Sequence, residues 1–465
     1  MSQSVADQGL EDPLHRFEVE RANYTCYPNA DRFVEAFSAD DYAQALRQRR
    51  RGAAALVRPL SLYVHIPFCE SLCYFCASDK IVTRQHDQAT PYLRYLSREV
   101  ELHTAQLGVR QTVAQLHLGG GTPTFLSDTQ LRELMSMLRH NFNLAPGGHY
   151  SIDIDPRTMN AGRLDTLAEL GFNRLSFGVQ DFDPKVQKAV HRVQPAEQVV
   201  ALMLAARQRK FESINIDLIY GLPLQCPESF GRTLTQVLDL RPDRIALHAY
   251  AHLPGRFKPQ RRILSDELPS EASKVAMVSS SRTTVMAAGY AYVGMGHFAL
   301  ITDPLAVAQR QGRLHRSVQG YSTHPDGDQI GLGMSSIGRI GATYSQNART
   351  IQAYGDALDR GQFPVVRGIA LSRDDLLRRA VIMSLMCQGE VLYESIELGY
   401  MVDFRKYFAA QMEVLRGMAE QGWVTLDDAG IQVTRSGWFL VSRVAMVFDR
   451  YLETDRTRAR FSRIL

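Results

Sequence analysis

Three of the chain's six cysteines, Cys69, Cys73 and Cys76, fall within eight residues of one another. The spacing C-x3-C-x2-C places three thiolates on one short loop, near enough to converge on a single metal centre. Two chemistries fit. With His65 four residues upstream, the set reads as a closed Cys3His zinc site of the structural kind. Alternatively, three thiolates hold three irons of a [4Fe–4S] cluster and leave the fourth iron open to a substrate or cofactor. His65 lies on an apolar run whose side chains alternate between faces, so its ring need not point at the cysteines. Tyr74 and Phe75 inside the loop are placed to shield a cluster and cover a bound cofactor. Cys226 and Cys387 lie near helical patterns and read as buried small apolar residues.

A second element is the run Gly119-Gly120-Gly121-Thr122-Pro123, directly after an apolar stretch. Glycines let the backbone approach a ligand closely and expose its N–H groups to a carboxylate or phosphate. Beside a metal loop, such a turn suits a small zwitterion with a carboxylate and an amine, a shape shared by the aminoacyl end of S-adenosylmethionine (SAM). Polar residues at further strand ends, Asp153, Asp155, Gln180, Asp181, Arg192 and Asp217, could hold ribose hydroxyls, an ammonium or a carboxylate. Each alone reads equally as a surface or capping residue.

The elements that bring these groups together follow from the periodicity. From residue 60 to about 300 a short apolar run, a polar loop and a helical pattern recur. The apolar runs are 60–68, 113–118, 150–154, 174–179, 214–219, 244–250 and 291–295, with amphipathic stretches between them. Six or seven βα units in a row imply a parallel sheet covered by helices, curled by right-handed crossovers into a partial (β/α)6 TIM-like barrel. Chemistry in such a barrel sits on the loops after the strands, where the distinctive sequences of this chain lie. Residues 1–57 read as a polar extension of low periodicity packed on a barrel of residues 58–365. Residues 366–465 form a mainly helical, winged-helix-like C-terminal lid. There the pattern gives helices over 373–387 and 404–421, a hairpin of 423–426 with 431–434, and a helix over 436–451. A basic tail follows at Arg456–Arg463, read as a solvated charged segment.

The net charge of +4 is small for 465 residues and argues against a dedicated nucleic-acid binder. No apolar run reaches the length of a membrane span, and the N-terminus has no apolar core of a secretory signal. The expectation is a cytoplasmic protein whose thiols stay reduced and available as ligands.

The run Tyr63-Val-His-Ile-Pro-Phe-Cys69-x3-Cys73-Tyr-Phe-Cys76, followed by Lys80-Ile-Val-Thr-Arg-Gln85, resembles the oxygen-independent coproporphyrinogen III oxidase family of radical SAM enzymes. So do GGGTPT at 119–124, GVQDF at 178–182, NIDLIYGLP at 215–223, YAHLP at 250–254, QGYST at 319–323 and the terminal FSRIL. The resemblance implies a [4Fe–4S] cluster on Cys69, Cys73 and Cys76, and SAM bound through its methionine group to the open iron. Reductive cleavage would give a 5′-deoxyadenosyl radical that abstracts a β-hydrogen from a substrate propionate. Loss of CO2 and one electron would then leave a vinyl group, in turn at two propionates, giving protoporphyrinogen IX for haem biosynthesis. Carried across, the positions for the first SAM are Tyr63, Gly120, Gly121, Thr122, Asp153, Gln180, Arg192, Asp217 and Ala251. Phe75, Ala77, Ser78, His248, Gln319 and Ile337 match positions around a second bound SAM and the substrate pocket. Tyr63, Ser78, His248 and Gln319 are the candidate catalytic residues. The implied partners are a tetrapyrrole and a flavodoxin- or ferredoxin-type electron donor, with no nucleic acid, no membrane and a monomeric chain. Lys80, Arg84 and Arg316 are candidates for the substrate's propionates.

Departures from the family pattern cluster. Cys-Gly-Cys becomes Cys76-Ala77-Ser78, a Phe becomes His248 with Ala249 in place of Asn, and Met-Asp-His-Phe becomes Met295-Gly296-His297-Phe298. A SAM-contacting glutamate is shortened to Asp153, and Asn23 and Cys26 replace Arg and Ser. These changes leave open a paralogue acting on another tetrapyrrole or haem. A haem-binding chaperone fits less well, because the KIVTRQ and QGYST segments are retained.

Overall fold

The computed structural model describes residues 24–52, 58–108 and 110–455. Asn23, the basic tail and the terminal FSRIL lie outside the described residues.

Six parallel strands follow the repeating apolar runs: β1 (Leu60–Ile66), β2 (Thr112–Gly120), β3 (Asn143–Ile154), β4 (Arg174–Gln180), β5 (Ser213–Tyr220) and β6 (Arg244–Ala249). Each of the first five is followed by a helix: α1 (Ala89–Leu107), α2 (Asp128–Asn141), α3 (Ala161–Glu169), α4 (Ala196–Gln208) and α5 (Pro227–Asp239). The strands alternate as their sequence does. Leu60, Leu62 and Val64 of β1, Ile152 and Ile154 of β3, and Ile214, Ile216 and Leu218 of β5 are buried in the main core with the helices. The intervening residues, among them Gln115, His117, Ser151, Asp153, Asn215 and Asp217, line a cavity on the inner face.

The sheet is larger than the sequence pattern suggested. Past β6 it adds β7 (Tyr290–Gly294) and β8 (His297–Leu300) antiparallel. On the far side β9 (Gln329–Leu332) pairs parallel with β1, and β10 (Ile337–Ile340), β11 (Thr343–Asn347) and β12 (Val365–Ala370) follow antiparallel. Among the described residues this makes one twelve-stranded open sheet with β12 and β7 at its edges, a partial barrel. A hairpin of His315–Ser317 with Gly320–Ser322 spans the opening. From it Gln319 Nε2 donates to the Leu62 carbonyl on β1 at 3.3 Å, while the Tyr321 ring meets His297 of β8 edge-on at 5.7 Å.

The N-terminal extension is more ordered than its polarity implied. Ser38 and Asp41 form a capping box that starts a helix, Ala39–Arg51, whose Tyr42 and Leu46 pack into the barrel core. Tyr24 and Tyr27 pack instead into the C-terminal core, where Tyr24 Oη donates to Asp449 at 2.9 Å. The extension therefore joins barrel to lid. In the lid, the helix Arg373–Gln388 is as expected. The hairpin Val424–Leu426 with Gly430–Val433 gains a third strand, Glu390–Leu392. The expected helix over 404–421 breaks at Phe408, and the one over 436–451 breaks into a 3-10 turn and shorter helices. No helix among the described residues is long and apolar enough to cross a membrane.

One buried carboxylate braces the barrel behind β1. Glu99 on α1 accepts from the Gly333 N–H at 2.7 Å, Asn347 Nδ2 at 2.6 Å and Tyr354 Oη at 2.6 Å. Burial pushes its carboxyl up to about 7, outweighing those three donors, which favour the ionised form. The folded chain therefore keeps a proton that the unfolded chain releases near 4.5, so stability falls as pH rises between those values and levels off above. The loss is on the order of 3 kcal/mol. Between pH 5 and pH 8 the thermal midpoint of the wild type should lose ground to that of Glu99→Gln, whose amide does not titrate.

Candidate functional site

The cysteine loop leaves β1 at the open end of the barrel and is fastened by apolar packing. Tyr74 and Phe75 pack against a satellite cluster that contains Val186, Val190, Ile219, Leu222, Tyr250 and Ile263. The Tyr74 N–H donates to the Val190 carbonyl at 3.0 Å, its ring stacks on His191 at 5.1 Å, and Arg262 lies over it at 5.3 Å. Gln260, fully buried, donates to the Phe75 carbonyl at 3.1 Å. The two aromatics thus anchor the loop to the ends of β5 and β6. Cys69 and Cys73 are buried and Cys76 half-buried.

Polar groups converge on two of the sulfurs. Thr122 Oγ1 donates to Cys69 Sγ at 3.4 Å. Arg157 Nη2 and Arg192 Nη1 lie 3.5 and 3.4 Å from Cys73 Sγ. Both guanidiniums also hold the buried Asp155, Arg157 through Nη2 at 2.6 Å and Arg192 through Nη1 at 3.2 Å. Burial alone would raise the Asp155 carboxyl, but the Arg192 and Arg157 charges outweigh it and hold the group below its usual range. Burial pushes the Cys69 thiol up to about 11, with the adjacent Cys76 and Cys73 adding to the effect against the Thr122 hydroxyl. Metal binding at such a thiol displaces its proton.

His65 is not part of this set. Its Nδ1 lies 3.2 Å from Tyr63 Oη and its Nε2 3.0 Å from the Asp79 carbonyl, so both ring nitrogens are engaged. The Cys3His zinc arrangement is therefore not formed. The fit to a cluster and a polar ligand is better. Sulfurs that accept from a hydroxyl and two guanidiniums suit thiolates bearing negative charge. Buried Gln180 Oε1 and Arg192 Nε have no hydrogen-bond partner among the described residues. Gln180 also adopts a positive φ of 69°, which turns the chain at the β4 end.

Below the mouth a cavity of ≈ 280 Å3 occupies the barrel interior. Asp153 on its wall pairs with His117 Nε2 at 3.5 Å, and the Tyr63 ring stacks on His117 at 5.8 Å. Burial lowers the affinity of His117 for a proton, but the Asp153 carboxylate outweighs it and leaves the ring above its ordinary value. Asp217 accepts from Asn215 Nδ2 at 2.8 Å and Ser176 Oγ at 2.9 Å, with His248 Nε2 at 3.8 Å. Burial would raise Asp217, and His248, Asn215 and Ser176 together hold it low. His248 also meets His297 edge-on at 5.8 Å.

Several expected residues play other parts. The N–H groups of Gly121 and Thr122 donate to the Ile66 and Phe68 carbonyls, both at 2.8 Å, so they are not free for a ligand. The glycines serve close approach instead: a Cβ on Gly121 would lie 2.6 Å from the Pro67 carbonyl oxygen, and one on Gly120 2.6 Å from the His65 ring. Asp181 is buried among Thr233 Oγ1 and Gln225 Nε2 and braces the β4–β5 end of the barrel. Lys80 reaches back to the Cys76 and Ser78 carbonyls, Ser78 and Arg84 are exposed, and Arg316 is buried over the Tyr321 ring. Ala77 and Ala251 are half-buried. Ile337 lies on β10 against a cluster around Phe33 and Tyr344, away from the cavity lining. Cys387 is buried, but Cys226 is exposed and caps α5 by accepting from the Ser229 N–H at 3.4 Å. Arg157 was not singled out from sequence, although it ends the Asp155-Pro156-Arg157 turn after β3. His117 and His297 were likewise missed. His117 stands between Leu116 and Leu118, and His297 precedes an apolar run, the signal that pointed inward.

A Gly121→Ala change should force the cysteine loop away from β2 and lower iron and sulfide content after anaerobic reconstitution several-fold. Gly231→Ala, where a Cβ meets nothing within 4 Å, should leave that content unchanged.

Comparison with known proteins places this geometry. The family model of the radical SAM superfamily matches residues 63–237, and that of the HemN C-terminal domain matches residues 371–440. The oxygen-independent coproporphyrinogen III oxidase of Pseudomonas aeruginosa is 48% identical over 456 residues, covering 98% of both chains. That of Escherichia coli is 44% identical over 452 residues, covering 97% of both. The solved coproporphyrinogen III oxidase of Escherichia coli, titled a radical SAM enzyme, matches with a TM-score of 0.88 at 45% identity, over 92% of this chain and 97% of that one. The chain belongs to the oxygen-independent coproporphyrinogen III oxidase family of radical SAM enzymes.

Proposed function

We propose that this protein converts coproporphyrinogen III to protoporphyrinogen IX, turning two propionates into vinyl groups by radical oxidative decarboxylation. The observation that carries this reading is identity of 48% that runs the length of both chains, barrel and lid together. Each turnover removes a hydrogen atom from the propionate β-carbon, releases CO2 and passes one electron to an acceptor. Cys69, Cys73 and Cys76 would hold the [4Fe–4S] cluster, which together with SAM would supply the hydrogen-abstracting radical. The chain's own residues do the rest. Thr122, Arg157 and Arg192 donate to the ligating sulfurs and steady their charge. Gln180 and Arg192 offer unpartnered polar atoms to the cofactor's aminoacyl group, while Asp153 and Asp217 face its ribose and amine. Tyr63 backs this wall through His117. Gln319 on the closing hairpin and His248 on β6 border the substrate side, with Phe75, Ala77, Ser78 and Ile337 assigned to the same side by resemblance. The mouth then admits a tetrapyrrole whose propionates meet Lys80 and Arg84. A flavodoxin- or ferredoxin-type donor, a monomeric chain and a cytoplasmic setting complete the reading.

The altered residues Ala77, Ser78, His248 and Gly296 suggested a different tetrapyrrole, but identity across both domains favours the parent reaction. Anaerobic incubation of the reconstituted protein with SAM, a reductant and coproporphyrinogen III tests it. Divinyl product with 5′-deoxyadenosine is expected; SAM cleavage without decarboxylated product would sink the proposal. Cys73→Ser should abolish turnover. Arg157→Gln removes a donor to a ligating sulfur, which favours the more negative, reduced state. Its loss should lower the cluster potential by roughly 40 mV, equal to about 1 kcal/mol for one electron. Redox titration followed by electron paramagnetic resonance measures it.

A further inference from the structure

The lower end of the barrel, opposite the cysteine loop, concentrates positive charge around empty volume. Arg174, Ser213 and Arg244 are the first residues of β4, β5 and β6, and all three line the interior cavity together with His149 of β3. Arg244 is matched: it grips the buried Asp303 with Nε and Nη2 at 3.0 and 3.1 Å. Arg174 is matched only in part: it is 9% exposed, its Nε has no hydrogen-bond partner among the described residues, and its ion pair is with the exposed Glu212, 3.5 Å from Nη2. Facing it, the His149 and His324 rings meet edge-on at 4.3 Å, and buried His324 Nε2 also has no partner among the described residues.

The charges bear on one another. Burial, then Arg174, His324 and Arg244, pushes His149 down to about 3, so its ring is neutral at physiological pH. Burial and Arg244 press Arg174 itself down to about 10, against the pull of Glu212, Asp303 and Asp243. A buried guanidinium with an idle N–H, a second arginine and two suppressed imidazoles around a solvent-sized space lack only an anion.

We propose that this floor binds a small oxyanion, held by Arg174 and the His149–His324 pair. It is the floor of the cavity whose upper wall carries Asp153 and Asp217. Arg174 lies six residues before Gln180 on β4, or about 20 Å along an extended strand. The floor between His149, Arg174, Ser213 and Arg244 suits an ion the size of phosphate or bicarbonate. Bicarbonate has a local source only if the decarboxylation proposed above is correct. Phosphate does not depend on it.

Calorimetric titration of the reconstituted holoprotein with inorganic phosphate, and separately with bicarbonate at pH 8, tests the assignment. Saturable binding in the low-millimolar range or tighter is expected for at least one of them, and which binds tighter identifies the source. An anion beside His149 raises its proton affinity. Phosphate should therefore raise the midpoint of the His149 ring titration, followed by nuclear magnetic resonance. Arg174→Gln should weaken binding at least tenfold while SAM affinity and cluster content stay unchanged. Because Arg174 is buried, His149→Gln serves as the second variant and should weaken binding several-fold. No saturable binding of either anion, binding unaltered by both variants, or phosphate that competes with SAM would each overturn the proposal. None of these outcomes depends on turnover.

Discussion

The contact on which the mouth of the barrel depends is the one between Asp155 and two guanidiniums. Arg157, two residues on, and Arg192, from the far side of the β4 loop, share that carboxylate and both turn an N–H toward Cys73. Arg192 also donates to the Gly178 carbonyl on β4. One carboxylate thereby ties the ends of β3 and β4 to the cysteine loop that leaves β1. Two cations, Arg192 buried and Arg157 half-buried, beside one buried anion leave net positive charge, which a pair with balanced charges would not. That surplus faces the sulfur, where thiolate and cluster charge is negative, so the network is completed by what it is built to hold. Around it the glycines and Thr122 bring β2 against the same loop, and Tyr74 and Phe75 fix its outer edge.

The interior of this barrel differs from the usual layers of bulky aliphatic side chains. Its strands keep their branched residues for the helix side and turn Gln115, His117, Ser151, Ser176, Asn215 and Asp217 inward. Such a core is stable only when its polar atoms find one another, and here they largely do: Gln115 with Ser61 and Ser322, His117 with Ser151, Asn215 with Ser176 and Asp217. The hairpin at 315–322 is the keystone of that arrangement. The parallel strands do not close on themselves, and the hairpin supplies Gln319, Tyr321 and Ser322 to groups on both sides of the gap.

Much of this was legible in the chain because two periods are written plainly in it. Apolar runs marked β1 to β6, and amphipathic stretches between them marked α1 to α5. The cysteines stood out as a candidate metal loop by their spacing alone. What stayed hidden had a common cause. Strands β8 to β12 are short, and their pairing is set by contacts distant in sequence, as when Val34 bridges to Gly368. The helix Ala39–Arg51 is so polar that its capping box was a better sign than its hydrophobicity. The glycine loop was placed correctly but for a different reason, since sequence shows that a glycine is present and not which atom comes close to it. Arg157 escaped because a surface-like arginine after a proline gives no hint that it will fold back on a cysteine 84 residues away.

Two of the substitutions that set this chain apart from its family pattern, at 248 and 296, belong to one local rearrangement. Met295 and Gly296 have positive φ angles of 48° and 79°, and the Leu247 N–H donates to the Gly296 carbonyl at 2.8 Å. A Cβ on Gly296 would overlap the Leu247 carbonyl oxygen, so an aspartate there requires the turn to move away from β6. The residue after Leu247 is His248, and the residue after Gly296 is His297, and their rings touch. Losing a carboxylate at 296 and gaining an imidazole at 248 therefore occur across one strand pair. The gained ring sits beside Asp217 within 3.8 Å and helps hold that carboxylate below its usual range. The altered turn reshapes the rim of the pocket while the Asp217 wall keeps its charge. That is what separates a rearranged oxidase from a site released to drift: the altered residues compensate one another around a group that has not changed.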